Sequence, residues 1–148
     1  MENQKTFLSS LRNQLKRNVY HNRIGWTYPS CPICHEAFSN REPSMHEVFI
    51  PRSVVRGCSF EVQQQIHVPQ NVVLIHEPEC HVYAQHYEEG KIQCALQIIE
   101  YEGYDTILEW MKHFDTLVKT TDNQKYTILE SAYEIYKRKS GVHVESNN

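Results

Sequence analysis

No apolar run in this sequence approaches the ~20 residues that a membrane span requires, which excludes a transmembrane helix. The opening stretch, Met1 to Gln14, is polar and mixed and has no signal-peptide core, so the expected location is cytoplasmic. Internal repeats and low-complexity tracts are missing too, which excludes a repeat array. The five cysteines are an odd number and cannot all close into a disulfide framework. A strong positive charge is also lacking: the net charge of -3 does not advertise a nucleic-acid-binding chain.

What is present suits one globular domain, or one domain with an appendage. The chain has 148 residues, 40% of them apolar and 22% charged. Nine histidines make it rich in ligands and proton carriers. The charge is unevenly placed. Met1 to Gly25 carries Lys5, Arg12, Lys16, Arg17 and Arg23 against Glu2 alone, whereas Ala84 to Tyr136 is strongly acidic. A polyanion would therefore meet the N-terminal part.

Hydrophobic periodicity divides the chain into an N-terminal amphipathic basic helix (1–25), a compact middle (26–90) and a helical extension (91–148). Phe7, Leu8, Leu11, Leu15 and Val19 recur at helical spacing, leaving Arg12, Lys16 and Arg17 off the stripe on a basic face, with Lys16 and Arg17 as candidate phosphate contacts. His21 to Ser30 is an irregular lead-in, whose Trp26 and Tyr28 are expected to pack on the centre that follows. Met45 to Ile50 has strand composition. Pro51 to Gly57 reads as a turn or short return strand bearing Arg52 and Arg56. Ser59 is a fair N-cap for a short helix to Ile66. Val68 to Ile75 reads as extended, and Glu77 to Tyr87 as a helix with Pro78 in its first turn. Three apolar stripes follow Lys91, punctuated by Gly90, Gly103 and Thr120 to Asn123. Gly141 to Asn148 reads as a frayed tail.

Two constellations carry chemistry. Cys31 and Cys34 form a knuckle with metal-ligand spacing, and Cys80 is the natural third ligand. His76 is the best fourth, with His35 and His81 as alternatives. The second constellation is His46, Glu47, Asn71 and His81. The two histidines can share a divalent ion if the helix packs on the strand. Successive strand residues point to opposite faces, so His46 and Glu47 serve one site only at a strand end or bulge. Asn71 can fix a loop through an amide that both donates and accepts. Cys58 and Cys94 read as ordinary thiols.

Cys-x-x-Cys, then His-Glu-Val-x-x-Pro-Arg, then Asn-Val-Val-Leu-x-His-x-x-x-Cys-His resembles the HNH endonucleases, in the zinc-clamped form common in phages and bacteria. The resemblance spans roughly Cys31 to His86. It implies an α+β fold, a small ββα-metal core with structural zinc set in a mainly helical chain. It also implies metal-dependent hydrolysis of DNA phosphodiesters in a bacterial or phage-infected cell. Residue by residue, it gives His46 and His81 a catalytic ion such as magnesium, manganese or nickel. It gives Glu47 the role of general base, with His46 as the alternative because the spacing to Pro51 is one residue longer than usual. Asn71 becomes the loop tether. Cys31, Cys34, His76 and Cys80 become the zinc ligands, although His76 to Cys80 is one residue longer than the usual pair. Arg52, Arg56, Lys16 and Arg17 are expected on the DNA, and His86 is an extra contact or plain helix surface. The helical extension would dimerise or cap the core. A catalytically degenerate, zinc-stabilised nucleic-acid-binding module is the alternative function.

Overall fold

A computed structural model describes residues 2–23, 30–38, 43–119 and 123–140. Trp26, Tyr28, most of the linker between Thr120 and Asn123, and the 141–148 tail lie outside the described residues. The chain is mainly helical, with one two-stranded antiparallel sheet, an α+β arrangement. Helix α1 (Glu2–Asn22) precedes strand β1 (Ser44–Glu47), short helices α2 (Arg52–Val55) and α3 (Phe60–Gln64), and strand β2 (Val72–Ile75). Helices α4 (Glu79–His86), α5 (Glu88–Glu102), α6 (Tyr104–Leu117) and α7 (Gln124–Ser140) complete it.

The strands pair with Ser44 opposite Ile75 and Glu47 opposite Val72. Strand β1 is shorter than its composition suggests. Val48 N–H still reaches the Asn71 carbonyl at 2.7 Å, but Phe49 and Ile50 donate instead to the Asn71 side chain. The amide thus replaces two rungs of the ladder and turns the chain away. The extended reading of Val68 to Ile75 also needs correction at its start. Pro69–Asn71 is a 3₁₀ turn, closed by Asn71 N–H to the Val68 carbonyl at 3.0 Å, before β2 begins. Where a turn or return strand was expected after Pro51, one turn of helix forms and buries Val55. The predicted cap holds: Ser59 Oγ accepts from Val62 N–H at 3.3 Å.

One apolar cluster runs through all of these elements. It joins Leu15 and Val19 of α1 to all four β2 residues, to Cys94, Ala95, Ile98 and Ile99 of α5, and to Ile107, Met111, Ile128 and Leu129 of the last two helices. Trp110 adds a polar anchor, its indole N–H donating to the Gln65 carbonyl at 2.9 Å. Arg23 does not face solvent as its place in a basic segment suggests. It is buried, donates to the Val72 and Pro69 carbonyls at 2.8 and 2.9 Å, and pairs with Glu102 at 3.3 Å. Burial lowers its pKa against the opposing pull of Glu102, so the guanidinium is a structural tie between α1, β2 and α5.

Gly90 is not a break between helices but a buried residue inside α5. A Cβ there would lie 2.9 Å from Ala84 Cα and would overlap the Tyr83 carbonyl. Helix propensity favours Ala over Gly by about 1 kcal/mol, whereas overpacking against backbone costs about 1–3 kcal/mol. The clash involves atoms that cannot rotate away, so it should win. Gly90→Ala is expected to lower the unfolding free energy, by up to about 2 kcal/mol net, in urea denaturation.

Candidate metal centre

The knuckle is held by backbone bonds before any metal is considered. Cys31 N–H donates to Glu36 O at 3.0 Å and His35 N–H to Cys31 O at 2.8 Å, with His35 at a positive φ of 65°. That turn aims both thiols inward. His76 follows directly on β2, and Cys80 lies in the first turn of α4. His81 N–H reaches back to the His76 carbonyl at 3.2 Å, fixing the strand-to-helix corner. The Phe38 ring lies 4.7 Å from the His76 ring and closes one side.

The ligand atoms of Cys31, Cys34, His76 and Cys80 all lie within 4.8 Å of one another. A tetrahedral zinc with bonds of about 2.3 Å to sulfur would need sulfurs about 3.8 Å apart, so the set fits the ion in type and spacing. His76 Nδ1 is 3.2 Å from Cys34 Sγ, which makes His76 the fourth member of this set. His35 is exposed and His81 is bound elsewhere. Without an ion, burial and the neighbouring Cys31 and Cys34 thiols push the Cys80 thiol up to about 12. A bound zinc reverses that balance by favouring thiolates. Cys94 is buried beneath the clamp, its pKa raised by burial and by the nearby Cys31 and Cys80 thiols, and Cys58 lies outside the set.

The second constellation assembles around the same corner. His46 on β1 and His81 on α4 stand edge to face with ring centroids 4.9 Å apart. His81 Nδ1 is bound to the Glu77 carboxylate one turn earlier. A carboxylate on one ring nitrogen selects the tautomer and leaves Nε2 as the electron-pair donor. Burial, and then the charge of His81, lower the His46 pKa to about 4, so its imidazole is neutral and able to ligate at neutral pH. Among the described residues only the cysteine clamp gathers three or more metal-binding groups; the His46–His81 pair supplies two.

Glu47 pairs with Val72 one step along the strand and is drawn into a different network. Arg12 Nη1 lies 2.7 Å from one carboxylate oxygen and Arg52 Nε 3.4 Å from the other, while the Glu47 side chain is 8% exposed. His67 is buried in the same network, its Nδ1 without a hydrogen-bond partner. Burial, then the Arg12 charge, hold its pKa at about 4. Asn71 is fully buried and uses its whole amide. Its oxygen accepts from Phe49 and Ile50, and its nitrogen donates to Ile50 O and Ile66 O at 2.9 and 3.0 Å.

The expected phosphate contacts divide. Arg52 is 63% exposed on the Glu47 side, and Arg17 and Arg56 are exposed. Lys16 is half-buried one helical turn from Arg12, and His86 is exposed in the last turn of α4. The sequence reading passes over Glu77 and His67, and places Arg12 on a basic helix face without its partner Glu47. Glu77 was legible as a partner four residues before His81. The partner of Arg12 was not, because Arg12 meets Glu47 across 35 positions. No protein-family profile matches the chain, and no curated protein or solved structure is significantly similar to it.

Two outcomes follow. The purified chain should hold one zinc, and Cys80→Ser should lose it, with metal analysis and a lowered melting temperature as the readouts. His67 should make stability fall with acid. An unfolded imidazole titrates near 6.5 but the folded one only near 4, so the unfolded state binds the extra proton between those values. The contribution is complete above about pH 6.5 and is lost by about pH 4. In His67→Gln, urea denaturation across this window should show a shallower decline, by about 3 kcal/mol at most.

Proposed function

We propose that this chain is a metal-dependent endonuclease of the HNH type, with a ββα-metal core, that hydrolyses DNA phosphodiester bonds. The observation that carries the reading is the His46–His81 pair, borne by strand and helix, one residue from the cysteine clamp and oriented by Glu77. A magnesium, manganese or nickel ion held by those two imidazoles would supply charge neutralisation at the scissile phosphate and the departing 3′ oxygen. The chain's own residues do the rest. His46 and His81 would hold that ion through their ring nitrogens. Asn71 fixes the loop after Glu47, so the strand end keeps its direction. Glu47 takes a proton from the attacking water. The water oxygen bonds to phosphorus, the 3′ oxygen leaves with a proton, and the products are a 3′-hydroxyl and a 5′-phosphate.

Both Glu47 oxygens are engaged by arginines, which sets a condition on that step. The exposed Arg52 has to turn toward a phosphate and free one oxygen as substrate arrives. The same pairing favours the second reading, a zinc-stabilised nucleic-acid-binding module in which Glu47 is purely structural. DNA is the partner in either case.

Plasmid nicking with each divalent ion, after chelation of loosely bound metal, decides between them. Wild type should convert supercoiled plasmid, and His46→Ala and His81→Ala should not, while both keep their structural zinc. Glu47→Gln should slow nicking by about 10²–10⁴-fold, the range of a general base. DNA binding without any metal-dependent nicking would support the second reading. A Glu47→Gln variant as fast as wild type would remove Glu47 from the base role.

A further inference from the structure

Arg12 belongs to a basic segment, yet its side chain is turned inward. At about 100° per residue, Val19 comes back to within about 20° of Arg12 around α1. Leu15 and Val19 are buried in the core, so this side of the helix faces the sheet. From there Arg12 Nη1 lies 2.7 Å from Glu47 Oε2. Arg52 reaches the other oxygen through Nε at 3.4 Å, from a single turn of helix. The two contacts are unequal. The Arg12 side chain is 21% exposed and the Arg52 side chain 63%, so Arg12 makes the shorter and better shielded one.

A carboxylate at a strand end swings about its side-chain torsions unless something holds it. Asn71 binds the backbone of Phe49 and Ile50, not the Glu47 carboxylate. His67, with its pKa held at about 4, is neutral at pH 7 and brings no charge that could replace Arg12. A charge-assisted hydrogen bond as short as that of Arg12 is among the strong ones and fixes one oxygen of the pair. When Arg52 turns to a phosphate, Oε2 stays on Arg12 and Oε1 is the oxygen set free. A general base must come within about 2.6–3.2 Å of the proton it takes, and a misplacement of about 1 Å can cost about 10²-fold in rate.

We propose that Arg12 is a positioning residue for the hydrolysis: it holds the Glu47 carboxylate by one oxygen so that the other meets the attacking water. The role rests on the endonuclease reading with Glu47 as base. Plasmid nicking is measured, as kcat and KM with one divalent ion, for the zinc-loaded wild type, Arg12→Ala, Arg12→Lys, Glu47→Gln and the double variant Arg12→Ala with Glu47→Gln. Arg12→Ala should lower kcat by about 10–100-fold while KM stays within about threefold of wild type. Arg12→Lys, which keeps the charge but not the planar fork, should recover part of the loss. In the Glu47→Gln background Arg12→Ala should cost nothing further, because two residues that act as one unit are not additive. A wild-type kcat in Arg12→Ala overturns the role. So does a loss confined to KM, the mark of a phosphate contact, and so does an equal loss in both backgrounds, the mark of a purely structural ion pair. If Arg12→Ala loses the circular dichroism of wild type, Arg12→Lys made in both backgrounds takes its place in the comparison. All these results leave the endonuclease reading standing, since wild type nicks. A wild type that does not nick, or a Glu47→Gln variant as fast as wild type, removes the base itself and the role of Arg12 with it.

Discussion

The structure depends on a corner where a strand becomes a helix. His76 ends the run begun by β2, Cys80 opens α4, and both converge with Cys31 and Cys34 from a knuckle some forty residues earlier. A small sheet of two four-residue strands is weak on its own. A metal ion held by these four ligands would join its far end to a distant turn and remove much of the freedom that such a sheet would otherwise keep. The packing above it serves the same end: Cys94 and Ala95 of α5 are fully buried among the core residues, and Gly90 lets α5 approach α4 closely. α4 therefore has little slack, and His81 inherits that rigidity.

Asn71 does for the opposite end of the sheet what the clamp does here. Its amide satisfies two N–H groups and two carbonyls of a loop that has left the ladder, at no exposure to water. Leaving such buried groups unpaired costs about 1–3 kcal/mol each, so one side chain decides where β1 stops. That stop places Glu47 at the strand end, between arginines from α1 and α2 and beyond the imidazole pair.

Much of this was legible in the letters, for a local reason. The Cys31–Cys34 and His76–Cys80 spacings are short enough for chain geometry alone to bring each pair together. The helices announced themselves through apolar stripes, of which Leu15 and Val19 are buried as expected, although Phe7 is not. What could not be read depends on partners far away in sequence. Arg23 looked like a surface charge because its acceptors are near Val72 and Glu102. Gly90 looked like a break because its reason is the neighbouring helix. Met45 to Ile50 looked like six strand residues because composition does not reveal that Asn71 substitutes for a partner strand. The pairing of His46 with His81 was expected from the resemblance, and the carboxylates and arginines around it were not.

Cys80 and His81 are consecutive residues that belong to two different constellations, one facing the knuckle and the other facing β1. Adjacent positions on a helix point about 100° apart, and this angle separates the two centres. α4 can thus accept new side chains on its outer face more readily than a change in its length. One inserted residue between the two would swing His81 and everything after it by about a further 100°. The clamp would survive intact while the imidazole it had carried into place looked elsewhere. Descendants of this chain should vary freely in what α4 displays and hardly at all in how its first turn is counted.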